Sequence, residues 1–282
     1  MPAPCATLFP YTTLFRSGDK SKNAVVGLDD ILATVGIVAV LNKIADAFSD
    51  ASDKATEFET NVAMVSTVAD TTVLSADQLS TQISGLSKDT AKNVNELADA
   101  TYNAISAGVA TEGAVETVGE ASKLATAGFT SSASALSVLT TALNAYQLEA
   151  SEVTNISDSL ITSQNLGVMT IDQLSSSMGK AISTASAYSI DLYNLESGYI
   201  SLTKAGVSVE ESTTYISSMF NELGDSGSEV AGVIMEETGQ SFGQLMKSGY
   251  SLADVLEILY NSVDQDSEAL MNVWGSEIGK AA

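Results

Sequence analysis

No proline occurs in this chain from Tyr11 to Ala282, and that absence limits the possible fold more than any other feature of the sequence. Proline interrupts helices and is common in turns, so a long proline-free stretch rich in Ala, Leu, Ser and Glu favours helix. Hydrophobic residues make up 45% of the 282 residues, which is too many for a disordered chain. Frequent Val and Thr keep strands open as a minor alternative.

Apolar residues recur every three or four positions in several segments, which is the period of one face of a helix. Three such stripes are Leu136, Leu139, Leu143 and Tyr146; Val153, Ile156 and Leu160; and Leu252, Val255, Leu259 and Val263. Each stripe needs a neighbouring element to cover it, so the pattern predicts amphipathic helices that share a core.

The breaks between these helices share one form: a glycine, then an apolar residue, then Ser or Thr within two further positions. Glycine accepts the left-handed conformation that ends a helix, the apolar residue folds back onto the last turn, and the hydroxyl caps the next helix. The predicted structural sites are these corner glycines: Gly108, Gly128, Gly167, Gly206 and Gly249. The candidate caps are Thr111, Thr130, Thr170, Ser208 and Ser251.

The corner glycines lie 20, 39, 39 and 43 residues apart. One helix with its turn occupies about 20 residues, so the longer intervals indicate helical hairpins. The predicted fold is all-α, a helical bundle or short α-solenoid of helical hairpins with glycine corners and no sheet. Two helices are expected at about 170–188 and 191–205, and a loop at 225–228 followed by short helices.

Acidic residues outnumber basic ones by 35 to 12, which gives a net charge of −23. Phosphate recognition needs clustered Lys and Arg, so this balance argues against a nucleic-acid site and against an anionic membrane as the main partner. Histidine is absent, which removes the commonest general base and metal ligand. The single cysteine, Cys5, excludes an internal disulfide and a cysteine-based metal site. We expect no cofactor and no metal.

Several short patterns suggest chemistry, and each lacks something that the chemistry requires. The loop Gly224–Gly227 resembles a serine-nucleophile loop, whose mechanism needs a histidine base. Ser177 and Lys180 match S-x-x-K without the accompanying S-D-N and K-T-G motifs. A calcium-loop-like run from Asp264 lacks the required Gly and Glu. The aromatic residues are assigned to core and corners rather than to a ligand cage: Tyr188, Tyr193, Tyr199, Tyr215 and Trp274. The chain is predicted not to be an enzyme.

The two ends of the chain differ from the helical remainder. Thr7–Ser17 reads TLFPYTTLFRS, and all eleven residues match the translation of a widely used sequencing-adapter oligonucleotide. We therefore expect residues 1–17 to be a non-native, disordered leader; a signal peptide is the alternative, but the stretch lacks a basic start. Nothing in 278–282 terminates a fold, which predicts a chain cut from a longer protein.

The longest uncharged run near the start is Ile31–Asn42. A helix of that length spans roughly 18 Å against the ~30 Å of a bilayer core, so a buried helix is favoured over a membrane span. The expected organisation is a leader at 1–17, a long apolar or amphipathic helix within 18–57, a core helical domain at 58–224 and short helices at 225–282.

Several blocks between Phe58 and Gly224 occur in a characteristic order and spacing. They are Phe58-Glu59 with Met64-Val65, Glu96–Ala100 through Ser106–Gly108, Leu124–Gly128, Asp158–Leu160, Thr170–Leu174 and Leu202–Ser208. Each block alone is of low complexity, but together they resemble the core region of phage tail tape-measure proteins.

The resemblance implies a structural protein of the virion that runs inside the tail tube, sets tail length during assembly and assists genome delivery into the host. It implies synthesis in the bacterial host cytoplasm. The implied partners are the tail tube protein, tail-assembly chaperones and other tape-measure copies, with the host membrane as a contact during infection. Two alternatives stay open: a secreted helical toxin or pore-forming protein that inserts Ile31–Leu41 into membranes, and a cell-wall hydrolase, for which no pair of acids stands out.

Overall fold

The structure is a computed structural model that describes residues 37–266, 268, 269 and 274. The predicted leader 1–17, residues 31–36 of the uncharged run and the chain end 278–282 lie outside the described residues. The chain divides into two compact units, Met1–Glu57 and Phe58–Ala282, and each is described by itself. The predicted boundary at residue 224 stays a prediction.

Helix is the only regular structure in the described part of the chain, so the all-α prediction is confirmed. The helices are α1 (Ile37–Val68), α2 (Ala76–Thr90), α3 (Val94–Ser106), α4 (Thr111–Ala127), α5 (Ser132–Tyr146), a 3-10 turn (Ala150–Glu152), α6 (Val153–Leu166), α7 (Ile171–Ala187), α8 (Leu192–Lys204), α9 (Val209–Gly224), α10 (Glu229–Thr238), α11 (Phe242–Lys247) and α12 (Leu252–Ser262). The two helices expected at 170–188 and 191–205 correspond to α7 and α8. The loop expected at 225–228 separates α9 from α10, and the short helices that follow it are present.

In the first unit, every described side chain from Ala45 to Glu57 on α1 is exposed. Lys54 and Asp50 form an ion pair of 3.4 Å one turn apart, with both side chains largely in solvent. Such a pair contributes at most a few tenths of a kcal/mol to the helix.

The helices of the second unit run alternately up and down in two layers. From α2 to α9, successive helices pack as hairpins, and each helix also packs on the one two places further along the chain. Helices α4, α6 and α8 thus form one layer, and α5, α7 and α9 form the other. Helices within a layer are parallel, because their equivalent ends are hydrogen-bonded. The Gln164 amide at the end of α6 donates to the carbonyl of Gly128 at the end of α4 over 3.5 Å. The glycine spacing predicts helical hairpins in a bundle or a short α-solenoid, and the observed stack of hairpins has the solenoid arrangement.

Apolar side chains of both layers form one contiguous core. Leu124, Leu139, Leu160 and Met178 are fully buried within it. The predicted stripes face this core, with only their last members, Tyr146 and Val263, partly exposed. A fully buried aliphatic side chain contributes about 1.5–3 kcal/mol, so the stripes account for much of the stability of the stack.

Buried Ser and Thr inside the helices explain why a Thr-rich chain remains helical. The hydroxyl of Thr101 donates to the carbonyl of Leu97, four residues earlier, over 2.7 Å. Thr117 and Ser122 on α4 make the same contact. These three hydroxyls are thus satisfied within their own helices and carry no cost of an unpaired buried group.

Candidate functional site

Three of the five predicted corner glycines hold the left-handed backbone that ends a helix. Gly108, Gly206 and Gly249 have φ of 102°, 92° and 94°. At each corner the N–H of the following apolar residue donates to the carbonyl five residues earlier, as Val109 does to Ala104 over 3.0 Å. This six-residue closure satisfies carbonyls that the end of the helix leaves unpaired, and it turns the chain sharply. Here glycine is required for its backbone freedom.

The other two corner glycines have a different physical role. Gly128 has φ −89° and Gly167 has φ −94°, so neither is left-handed. A Cβ on Gly128 would lie 2.6 Å from Cγ1 of the buried Ile171, and one on Gly167 would lie 2.7 Å from Cε of Met169. At these corners the predicted left-handed conformation is wrong. Gly128 instead allows the start of α7 to approach closely, and Gly167 lies against Met169 in the link before α7.

Left-handed corners also occur where no glycine marks them. Gln147 and Ser189 have φ of 53° and 63°, and Phe129 takes the left-handed position beside Gly128 with φ 53°. The N–H groups of Leu148 and Ile190 close the same six-residue ring as at the glycine corners, each over 2.9 Å. The signal shared with the glycine corners is the apolar residue directly after the left-handed one.

Three of the predicted helix caps are confirmed. Thr170, Ser208 and Ser251 precede α7, α9 and α12, and each hydroxyl accepts a backbone N–H three residues ahead over 3.1–3.3 Å. At Ser251 the bonding is reciprocal, because the Asp254 carboxylate accepts from the Ser251 N–H over 2.7 Å. The Ser251 hydroxyl also donates to this carboxylate over 2.7 Å, and the bonds from the hydroxyl and from the N–H lower the pKa of Asp254.

The other two predicted caps, Thr130 and Thr111, are wrong. Ser131, not Thr130, caps α5, and Ala110 precedes α4 without a side-chain cap. The hydroxyls of Thr111 and Thr130 bind other corners instead. Thr111 accepts from the Asp70 N–H over 2.8 Å, and Thr130 donates to the Asp172 carboxylate. These two threonines join corners that lie about one hairpin apart in the chain.

Glu196 on α8 is a buried carboxyl that the sequence pattern did not single out. Only 3% of the residue is exposed, and its Oε1 accepts from the Ser159 hydroxyl on α6 over 3.0 Å. Burial raises the pKa of Glu196 to about 7, against the opposing effect of hydrogen bonds from Ser159 and Ser163, and the nearby Asp191 raises it further. Glu196 therefore titrates near neutral pH in the seam between two helices of one layer.

Two tyrosines with buried hydroxyl groups lie in the same part of the stack. The Tyr199 hydroxyl is 2.6 Å from the Thr213 hydroxyl, and burial raises the pKa of Tyr199 to about 12. Burial also raises the pKa of Tyr146, with Asp191 and Glu196 adding to the effect. The Tyr146 hydroxyl has no hydrogen-bond partner in the described part of the chain. Tyr199 belongs to the packed interior, as predicted, and the partly buried Tyr146 packs against it.

The residues that carry the candidate patterns for catalysis are not brought together into a site. Among the described residues, no group of three or more His, Cys, Asp or Glu is placed to hold a metal ion. No helix formed by the described residues is long and apolar enough to cross a membrane. What the structure assembles from the predicted residues is a set of helix corners.

Comparison with known proteins gives the family of this stack. The profile described as "Phage-related minor tail protein" matches residues 80–273, more than half of the chain. The chain is 28% identical over 261 residues to the "Probable tape measure protein" of Clostridium phage phiCD119. That alignment covers 89% of this chain and 28% of the relative, so the chain spans less than a third of the relative's length. No solved structure matches. The chain belongs to the phage-related minor tail proteins, and its resemblance to the tape-measure proteins of phage tails is confirmed.

Proposed function

We propose that this chain is a folded helical section of a tape-measure protein, which contributes to setting tail length and assists delivery of the genome. The observation that carries the proposal is the alignment with a probable tape measure protein over 89% of the chain. The role is structural rather than catalytic. It is exercised in the virion, inside the tail tube, after synthesis in the bacterial host cytoplasm.

The folded stack and an extended ruler differ greatly in length. The longest helices of the stack have 17 residues, or about 25 Å. A continuous helix over residues 58–262 would reach about 300 Å at 1.5 Å per residue. The chain therefore contributes to tail length in proportion to its residue number only if the stack opens inside the tube.

An in-frame deletion of residues 96–206 from the gene, in a phage that carries it, tests the ruler role. If the stack opens, tails shorten by about 165 Å, the helical length of the deleted residues. Electron microscopy of purified tails measures the change, and a phage with the same segment recoded by synonymous codons is the control. Tails of unchanged length would overturn a ruler role for this section.

The proposed assembly partners are the tail tube protein, tail-assembly chaperones and other tape-measure copies, with the host membrane as a contact during infection. Cross-linking of purified tails followed by mass spectrometry checks the proposal. We expect links from exposed lysines, such as Lys180 and Lys204, to the tube protein. Links found only within this chain would contradict contact with the tube.

We further propose the five corner glycines as the determinants of the hairpin ends, and residues 58–224 as the core domain. Limited proteolysis checks the division. The proposal expects the first cuts inside the second unit in the 225–228 loop, with a fragment that starts near Phe58 persisting. Earlier cuts within the α4–α9 stack would contradict it.

A further inference from the structure

A long cleft runs along the surface of the α2–α4 pair in the second unit. It encloses about 830 Å³ and is lined by residues of α2, of α4 and of the link after α2. Its lining on α4 extends from Glu112 to Ala127, about 22 Å along the helix axis. An opening of that length and shape suits an extended element such as a helix better than a small molecule.

The floor of the cleft is apolar and open. Leu86 and the buried Val115 lie in it. A Cβ on Gly119 would lie 3.1 Å from Cδ1 of Leu86, so the two helices approach closely there. A Cβ on Gly85 would meet nothing within 4 Å, so the surface beside it is free to receive a side chain from outside.

Carboxylates dominate the rim of the cleft. Its lining holds Asp89, Glu112, Glu116 and Glu120 against Lys92 and Lys123. Lys123 pairs with Glu120 over 2.5 Å, and Lys92 donates to the neutral Ser132 hydroxyl over 2.7 Å, so the carboxylates remain in excess. In the described part of the chain, Asp89 and Glu112 form no ion pair, and Glu112 and Glu116 are exposed one turn apart. The rim therefore has unpaired negative charge above an apolar floor.

We propose that the α2–α4 cleft is a docking groove for an amphipathic helix of a partner protein, with an apolar stripe flanked by Lys or Arg. The apolar stripe covers Leu86 and Val115, and the flanking cations pair with Glu112 and Glu116 on one side and Asp89 on the other. A second copy of this chain is disfavoured as the occupant, because each copy carries a net charge of −23. The inference is independent of whether the section sets tail length.

The test uses the full chain and two synthetic helical peptides of about 16 residues, sized to the cleft. One has Leu at helical spacing with Lys on both flanks, and the other has the same Leu stripe with Glu in place of Lys. Fluorescence anisotropy at low and moderate salt measures binding. We expect the cationic peptide to bind at least about tenfold more tightly than the anionic one, with affinity that falls as salt rises.

Two pairs of variants locate the binding. Gly85→Leu fills the cleft, and its control Gly232→Leu adds the same side chain to α10, where a Cβ also meets nothing within 4 Å. Glu112→Gln with Glu116→Gln removes rim charge, and Glu236→Gln with Glu237→Gln removes two exposed charges from α10. Each cleft variant is expected to weaken binding about fivefold to tenfold, and each control by less than about twofold.

Three outcomes overturn the proposal. The first is a control variant that weakens binding as much as its cleft counterpart, because the peptide then binds the acidic surface at large. The second is absence of binding to a chain whose circular dichroism shows it folded. The third is concentration-dependent self-association in sedimentation that Gly85→Leu abolishes, because the groove then receives a second copy.

Discussion

Glu196 shows how one residue couples the stack to pH. Its carboxyl is buried between α6 and α8, with Ser159 as hydrogen-bond donor and Asp191 as a nearby like charge. The pKa in the folded chain, about 7, lies above the ordinary 4.5. The folded state therefore binds the proton more tightly than the unfolded state does. The contribution of this tighter proton binding to the free energy of unfolding is at its maximum below about pH 4.5 and is lost as the pH rises to about 7.

Replacement of Glu196 by Gln is expected to stabilise the chain at pH 8, because it removes the cost of a buried charge and leaves an amide oxygen for Ser159. The gain is about 3 kcal/mol at pH 8 and shrinks towards zero at pH 4.5, since each pKa unit corresponds to about 1.4 kcal/mol. Urea unfolding of both proteins at the two pH values measures it. Glu149→Gln at an exposed position is the control. A difference that does not change with pH would contradict the assignment.

Gly206 tests the need for left-handed backbone at a corner. Its φ is +92° and a Cβ there meets nothing within 4 Å, so a substitution changes backbone strain without a clash. Gly206→Ala is expected to lower the free energy of unfolding by about 1–2 kcal/mol, and Gly206→Asn by less, because Asn tolerates this region better. Thermal unfolding of the three proteins ranks them. Equal stability of the Ala and Asn variants would show that backbone strain does not set the cost.

Among the elements, the corner between α4 and α5 depends on close packing instead. Gly128→Ala places a methyl group 2.6 Å from Cγ1 of Ile171 on α7. Neither α4 nor α7 can move away easily, because both pack into the core. Overpacking of this kind costs about 1–3 kcal/mol. The control Gly85→Ala, in open space on α2, is expected to gain about 0.5–1 kcal/mol from helix propensity. Opposite signs in chemical unfolding are the expected result, and a neutral Gly128→Ala would refute the packing role.

The helices were predictable because their signals are local. The interval between Gly167 and Gly206 located α7 and α8 to within a few residues, and apolar spacing located the core-facing stripes of α5, α6 and α12. The corners at Gln147 and Ser189 were not predictable, because a left-handed Gln or Ser leaves no mark in composition. Thr111 and Thr130 were predicted as caps because each lies within a residue of a helix start. Their hydroxyls instead bond to Asp70 and Asp172, which are about 40 residues away in the sequence, and a local pattern does not reveal such partners.

At the scale of the whole molecule, a repeat of about 40 residues appears both in the sequence and in the contacts. The hydrogen bonds between corners join residues 35–42 positions apart, such as Val168 with Thr203 and Thr130 with Asp172. Glycine spacing alone indicated hairpins but did not distinguish a closed bundle from an open stack. The distinction rests on parallel packing of alternate helices, which depends on side chains from separate hairpins. The burial of Glu196 was also not predictable, because it depends on the packing of α6 against α8. In a sequence with 35 acidic residues, nothing local distinguishes this carboxyl from the others.

Deletion of one whole repeat tests the stack most directly. Removing residues 128–166 joins the end of α4 to the Gly167 corner, so α7 still runs opposite to α4 and both layers keep their order. Because stability in such stacks is close to a sum over neighbouring repeats, we expect a folded protein with lower but still cooperative stability. Removing only 128–146 is different: the link 147–152 reaches about 20 Å and must span a 17-residue helix of about 25 Å to keep α6 in its layer. That variant is expected to lose cooperative unfolding in circular dichroism melts. Equal behaviour of the two deletions would contradict the hairpin as the unit of the fold.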